Sequence, residues 1–238
     1  MRFFLLDSLP DCAPGPWLPP RGLAAHMKAL RLAAGEAFLL LTDDSCRVAH
    51  WSGSEITIGA HAPRPTLNLR PVTLATAWPK GARADELITR IAEAGVMTVQ
   101  PLVCERSVSG RKPLPDNKLK RFNRRMREVC QQCRNPHAPE LMSQPISAIE
   151  AIQERKDALA LLLQPGARPL IEVLSRELPT ADGHQREILL LVGPEGGFSQ
   201  QEETDLLAAG AVATGLLPTV LRIEAAGPLA AALCQHDR

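Results

Sequence analysis

The chain has 238 residues, a formal net charge of +1 and an apolar content of 45%. That composition supports a packed core and excludes an intrinsically disordered chain, and the length suits one large domain or two small ones. No apolar run approaches the roughly 20 residues of a membrane span, and residues 2–10 are too short and broken for a signal peptide, so a cytoplasmic protein without a membrane partner is expected.

Residues 1–66 carry short apolar runs interrupted by Pro, Gly and Asp. Ala37-Phe38-Leu39-Leu40-Leu41 ends at Asp43-Asp44, and Glu55-Ile56-Thr57-Ile58-Gly59 follows. Runs of this kind predict short strands joined by turns, hence a small β-barrel. Six basic and six acidic residues over positions 1–65 leave the region neutral. Residues 61–71 contain three prolines and read as a linker.

From position 71 onward, strand and helix patterns alternate. Residues 72–77 are β-rich. Ala84, Leu87, Ile88, Ile91 and Ala92 fall at helical spacing; Gly95 closes that helix and residues 96–103 form the next strand. Between Arg106 and Arg127, nine basic residues stand against one acid, Asp116, while Leu119, Phe122, Met126 and Val129 recur at helical spacing. Most charge runs are only solvated faces, but this asymmetry suits a phosphate backbone. Arg111, Lys112, Lys118, Lys120, Arg121, Arg124 and Arg125 are therefore candidate RNA contacts, of the kind that position RNA without choosing a base. Cys130 and Cys133 fall in the same helix. No second pair with metal-ligand spacing accompanies them, so structural thiols and no metal are expected, and the isolated histidines His26, His61 and His137 are read likewise. Zero tyrosines and 3% aromatics count against base stacking as the main recognition mode.

Further strands are expected at 158–163, 188–192 and 211–216, and an Ala/Leu-rich helix at 222–235. Strands alternating with helices predict an α/β domain around a mainly parallel sheet. The apolar run Leu189-Leu190-Leu191-Val192 passes straight into Gly193-Pro194-Glu195-Gly196-Gly197-Phe198, and Ser199 with Glu202 makes an S-x-x-E capping box that opens a helix. A glycine-rich loop at the carboxyl end of such a strand is where ligands bind in open α/β sheets. The loop lacks the Lys-Ser/Thr of a phosphate-cradling loop and the spacing of a dinucleotide fingerprint.

Downstream lies Gly215-Leu216-Leu217-Pro218-Thr219-Val220-Leu221-Arg222-Ile223-Glu224-Ala225-Ala226. The pair VGPEGGFS and LLPTVLRIEAA resembles the bacterial small-subunit ribosomal RNA uridine N3-methyltransferases of the knotted SPOUT superfamily. Their motifs are GPEGG-F/L-S and, further along, L-G-x-x-I/V-L-R-T-E-T-A. Matching segments also occur at Met1-Arg2-Phe3-Phe4, at His26-Met27-Lys28-Ala29-Leu30-Arg31 with Gly35, at Pro101-Leu102-Val103-Cys104-Glu105-Arg106-Ser107, and at Glu128-Val129-Cys130-Gln131-Gln132-Cys133-Arg134. They run along nearly the whole chain. The departures are Leu217 at the family's glycine and Ile223 and Ala225 at its two threonines, which remove two hydroxyls from the pocket region.

The resemblance implies an α/β fold: a PUA-like RNA-binding β-barrel over 1–66 and a trefoil-knotted SPOUT domain over 67–238. It also implies S-adenosylmethionine as cofactor, a homodimer packed through the knotted domains, and ribosomal RNA in the small ribosomal subunit as partner. The cofactor residues would be Val192, Gly193, Glu195, Gly196 and Gly197, with Leu216, Leu217, Pro218, Val220 and Leu221. Arg2 and Arg31 join the RNA contacts, and Arg106 serves RNA or a dimer interface. Methyl transfer to uracil N3 requires in-line placement, removal of the N3 proton, and stabilisation of charge on the uracil oxygens. Arg222, a permanent cation with a planar donor fork, suits the last of these. Glu224 is a proton acceptor, an orienter of Arg222, or a first-turn carboxylate that favours the helix dipole. Two alternatives stand beside this reading: an RNA-binding protein that has lost catalysis, and a methyltransferase acting on another RNA position.

Overall fold

A computed structural model of the chain describes residues 1–10, 14–107, 112–178 and 186–236. Its internal contacts divide into two units, Met1–Leu67 and Asn68–Arg238.

The first unit contains β1 (Arg2–Leu5), β2 (Gly15–Trp17), α1 (Arg21–Ala29), β3 (Ala37–Leu41), β4 (Cys46–Trp51) and β5 (Ile56–His61). The strands form a mixed sheet in the order β1-β3-β4-β5-β2, with β1 parallel to β3 and the other pairs antiparallel. Alternate residues of β3 feed opposite faces, as the period of two requires. Phe38 and Leu40 join Phe4, Met27, Trp51, Ile56 and Ile58 in one core, while Leu39 and Leu41 pack with Cys46, Phe3 and Leu5 in another. The Phe4 and Phe38 rings meet edge-on, 5.2 Å between centroids, a favoured aromatic geometry.

The second unit runs β6 (Val72–Ala77), α2 (Ala82–Glu93), β7 (Thr98–Val103), α3 (Asp116–Cys133), β8 (Glu140–Leu141), β9 (Ile146–Ser147), α4 (Ala148–Glu154), β10 (Leu159–Leu163), α5 (Leu170–Glu177), β11 (Ile188–Val192), α6 (Gln200–Ala208), β12 (Val212–Thr214) and α7 (Ile223–His236). Its sheet has the order β12-β10-β11-β6-β7-β8, with β9 also on β7, and every pair is parallel. β6 and β11 lie at the centre and are buried at every residue. Hence Ile188–Val192 shows an unbroken apolar run rather than alternation. The strand anticipated from 96 begins at Thr98, because Gly95 takes φ 73° after α2 and Val96 still bonds back to Ile91 O. That anticipated at 211–216 shortens to Val212–Thr214.

From β6 the chain crosses to β7 on one side, and from β11 it crosses to β12 on the other. The carboxyl ends of these adjacent strands therefore flank a topological switch point, the crevice where ligands bind in open α/β sheets. Helix α7 returns from the edge of the sheet to pack over β6, β11 and α2. Gly227 permits the close crossing: a Cβ there would lie 2.7 Å from Leu74 Cδ1. Pro228 follows inside the helix and takes one donor from its first turns.

Candidate active site

The loop after β11 is held from several directions. A Cβ on Gly193 would meet Phe198 Cδ2 at 2.9 Å and Phe198 N at 3.0 Å, so only glycine lets the loop close over the buried Phe198 ring. Gly197 adopts φ 69°, a left-handed conformation that suits glycine, and donates its N–H to Pro194 O at 2.8 Å. The capping box expected from sequence is formed: Glu202 N–H donates to Ser199 Oγ (3.2 Å), and Ser199 N–H donates to Glu202 Oε2 (2.7 Å). The other Glu202 oxygen accepts from Glu105 N–H at 2.9 Å, which staples the segment after β7 to the start of α6. Arg106 Nη1 donates to Gly196 O at 2.7 Å and to Phe198 O at 3.1 Å. Arg83 of α2 pairs with Glu195 at 2.6 Å, both side chains half-exposed.

The second loop is anchored at its root and open beyond it. Gly215 N–H donates to Arg168 O and Leu170 N–H to Gly215 O, both at 2.8 Å, and Thr214 Oγ1 donates to Arg168 O at 3.0 Å. A Cβ on Gly215 would sit 2.8 Å from Ala167 O. Among the described residues, no backbone group of 216–221 bonds to another backbone group. Leu217 and Val220 are exposed, the latter by 78%. Arg222 then starts α7 by accepting from the N–H groups of Ala225 and Ala226; its side chain is exposed and pairs with no described carboxylate. Two residues on, Glu224 is only 3% exposed, and its Oε2 has no hydrogen-bond partner among the described residues. The two predicted catalytic residues thus do not form an ion pair with one another.

A cavity of about 210 Å³ opens at the switch point. Ala77 at the end of β6 and Trp78 and Lys80 beyond it line one side, Pro194 and Glu195 after β11 another, and Ile223 at the start of α7 closes it. Of the residues predicted to hold the cofactor, Glu195 lines this cavity. The 216–221 loop does not line it, although it also leaves the carboxyl end of the parallel strands, after β12. Trp78, Lys80, Arg83 and Ser107 also line the cavity and were not singled out from sequence. The available signal was position, since Trp78-Pro79-Lys80-Gly81 follows the carboxyl end of the strand expected at 72–77.

Next to this cavity lies a wider groove of about 980 Å³ that shares Trp78, Pro79 and Lys80 with it and extends to α3. Phe122, Met126, Val129 and Cys130 bury the apolar face of α3. Its basic face divides in two. Arg121 pairs with Asp85 of α2 at 3.0 Å. Arg125 donates to Thr89 Oγ1 at 3.3 Å and approaches Glu128 at 3.9 Å, and Arg124 lies 3.7 Å from Glu128. Lys112, Lys118 and Lys120 are exposed and make no ion pair with the described residues. Arg111 falls outside the described residues. In the first unit, Arg2 donates to Leu30 O at 2.9 Å and faces Glu36 at 3.6 Å, and Arg31 is exposed in a left-handed conformation.

Among the described residues, no cluster of three or more His, Cys, Asp or Glu side chains is placed to hold a metal. The Cys130 thiol donates to His137 O at 3.7 Å and the Cys133 thiol to Cys130 O at 3.7 Å, and the neighbouring Cys130 side chain lowers Cys133 to about 6. Burial pushes Cys104, beside the loop, up to about 12.

A family model described as an RNA methyltransferase domain matches residues 65–235. The chain belongs to this family of RNA methyltransferase domains. Within the family, it is 29% identical over 210 residues to a protein of Synechocystis named ribosomal RNA small subunit methyltransferase E, covering 86% of this chain and 67% of that one. The Mycobacterium bovis protein of the same name is 31% identical over 166 residues, 67% of this chain and 61% of that one, so the chain aligns with less than two thirds of the mycobacterial relative. Among solved structures, a methyltransferase of Legionella pneumophila in complex with S-adenosylmethionine is 25% identical, with a TM-score of 0.74 and coverage of 98% and 96%. The ribosomal RNA small subunit methyltransferase E of Neisseria gonorrhoeae bound to S-adenosylmethionine has the same fold, with a TM-score of 0.73, 23% identity and coverage of 99% and 97%. No helix among the described residues is long and apolar enough to cross a membrane.

Proposed function

We propose that the chain transfers the methyl group of S-adenosylmethionine to N3 of a uridine in small-subunit ribosomal RNA. The observation that carries this reading is the switch-point cavity, which joins the GPEGG loop to the start of α7 in a chain of this family. Two features fit the cofactor. Gly197 faces open space, with nothing within 4 Å of a Cβ placed on it. The polar backbone groups of 216–221 are available to a ligand. A third suits the substrate: Glu224 Oε2 is a buried acceptor without a donor among the described residues, a situation that costs about 1–3 kcal/mol if left unrelieved. The cavity is below the roughly 300 Å³ of a whole-ligand pocket, so it would take one end of the cofactor while Val192–Gly197 and Leu216–Leu221 hold the rest.

When bound, S-adenosylmethionine supplies an electrophilic methyl group on a sulfonium. The chain's own work is placement, which alone contributes several kcal/mol. Arg106 and Arg83 fix the GPEGG loop through its carbonyls and Glu195. Arg222, exposed and one residue before Ile223 of the cavity lining, contacts the uracil oxygens or a flanking phosphate through its donor fork. Glu224 accepts the N3 proton at its unpartnered oxygen. The basic groove leading to α3 receives the RNA, whose target base must be single-stranded or extruded to be reached.

The same reading assigns residues 1–66 to a PUA-like RNA-binding barrel, in keeping with the small mixed sheet and α1. Residues 67–238 form the trefoil-knotted SPOUT domain. The close passage of Gly215 past Ala167 and Arg168, with α7 returning to the centre of the sheet, supports that topology. A homodimer through the knotted domains and the assembled small subunit as substrate complete the proposal, and such a substrate places the protein in the cytoplasm. Loss of catalysis is the second reading. It is favoured by Ile223, which puts an apolar wall in the cavity where the family pattern has a hydroxyl. Arg222→Ala and Glu224→Gln separate the two. The proposal expects both variants to bind S-adenosylmethionine and to lose methyl transfer. Full transfer by either one removes the role assigned to it, and a wild-type chain that binds the cofactor without transferring its methyl group supports the second reading.

A further inference from the structure

We infer that the groove between the switch-point cavity and α3 is a single-stranded RNA channel with Trp78 as its base-stacking platform. The inference rests on the RNA methyltransferase reading and adds a recognition residue to it. Trp78 lines both the cavity and the groove. It is thus the aromatic surface at which a strand lying in the groove would reach the cavity. Its ring lies 5.6 Å from that of Phe122, tilted by 59°, so a residue of the buried face of α3 backs it. Lys80, also common to both spaces, stands beside it, and Lys112, Lys118 and Arg121 line the groove further out. Among the described lining residues, four cations stand against a single carboxylate, Asp85, which already pairs with Arg121.

An aromatic wall within a cationic groove is the arrangement used for single strands. Every base has a face to stack, and phosphates follow the positive charge. A protein surface or a membrane would not need an aromatic ring at the mouth of the methyl-transfer cavity. A nucleotide drawn out of its stack needs such a face as it enters. Trp78 therefore stacks on the target uracil or on its immediate neighbour, and Lys80 takes the adjoining phosphate. The scarcity of aromatic residues in the chain does not oppose this, because one ring at the junction is sufficient.

The test compares wild type with Trp78→Leu, Trp78→Phe and Lys118→Gln. Four quantities are measured: melting temperature, S-adenosylmethionine affinity by calorimetry, affinity for a labelled uridine-containing single-stranded oligonucleotide, and methyl transfer to small ribosomal subunits. Trp78→Leu is expected to lose about 10-fold or more in oligonucleotide affinity and kcat/KM, with smaller changes in melting temperature and cofactor affinity, and Trp78→Phe should recover most of that loss. Lys118→Gln should weaken oligonucleotide binding and flatten its salt dependence. The inference is overturned if Trp78→Leu binds RNA as wild type does, or if it lowers stability and cofactor affinity as much as RNA affinity. A wild-type chain that transfers no methyl group yet binds the oligonucleotide through Trp78 supports the channel while ending the methyltransferase reading. Normal methyl transfer by Trp78→Leu does the reverse.

Discussion

Replacing Arg106 by alanine removes two hydrogen bonds that fix the GPEGG loop, those to Gly196 O at 2.7 Å and Phe198 O at 3.1 Å. Sheltered hydrogen bonds from a charged donor contribute roughly 1.5–3 kcal/mol each. The bond to Gly196 is exposed and that to Phe198 only partly buried, so their joint contribution is nearer ~1–2 kcal/mol. Phe198, Glu202 and the Arg83–Glu195 pair still hold the fold of the region, so the loss should appear as a smaller fraction of loops in the binding-competent shape. Apparent affinity falls in proportion to that fraction. At tenfold per 1.4 kcal/mol, Arg106→Ala should weaken S-adenosylmethionine binding by about 5–30-fold. Calorimetry on wild type, Arg106→Ala and Arg106→Lys measures it, with Arg106→Lys intermediate because an ammonium lacks the planar fork. An Arg106→Ala chain that binds within twofold of wild type refutes the claim that this residue preorganises the loop.

Three further expectations concern other parts of the chain. Gly215→Ala places a Cβ 2.8 Å from the backbone oxygen of Ala167, which cannot move without breaking the bonds of Arg168 and Leu170. It should cost about 1–3 kcal/mol by denaturant unfolding, whereas Gly22→Ala, in α1 with nothing within 4 Å, should be neutral or stabilising by up to ~1 kcal/mol. Cys133, lowered to about 6 by the neighbouring Cys130 side chain, should be alkylated first among the described cysteines. Its rate should rise through about pH 6 and then level off, with the midpoint moving upward in Cys130→Ala; mass mapping after iodoacetamide pulses shows both. Removing both free lysines of α3, Lys118 and Lys120, should reduce the slope of log affinity for RNA against log salt by about 1–2, whereas replacing Arg121, already paired with Asp85, should change it less.

What could be read in advance followed the range of the interaction. The buried strand Ile188–Val192, the capping box of Ser199 and Glu202, and the apolar stripe of α3 are each set by neighbours within a few positions, and periodicity exposes them. The capping box at Ser147 and Glu150 that opens α4 was equally local and went unread, because no long apolar pattern follows it. The cavity was less legible. It exists because β6 pairs with β11, more than a hundred positions away in sequence, which brings Trp78 and Lys80 opposite Pro194 and Glu195. Arg106 makes the same point. As part of a basic run it suggested RNA or a dimer interface, yet in the fold it holds two carbonyls of the GPEGG loop. Charge counts register a cation but not the acceptors a distant loop will present to it. In sequence Glu224 suits a proton acceptor, an orienter of Arg222 or a first-turn helix carboxylate; its burial, and the oxygen left without a donor among the described residues, depend on α7 crossing the sheet at Gly227.

The central claim is most directly tested by methyl incorporation. Small ribosomal subunits from cells lacking the activity are incubated with the protein and labelled S-adenosylmethionine, and the RNA is digested for nucleoside mass analysis against standards. The account predicts label in 3-methyluridine, abolished by Arg222→Ala. Label in any other nucleoside, or no label from a chain that binds the cofactor, would contradict it.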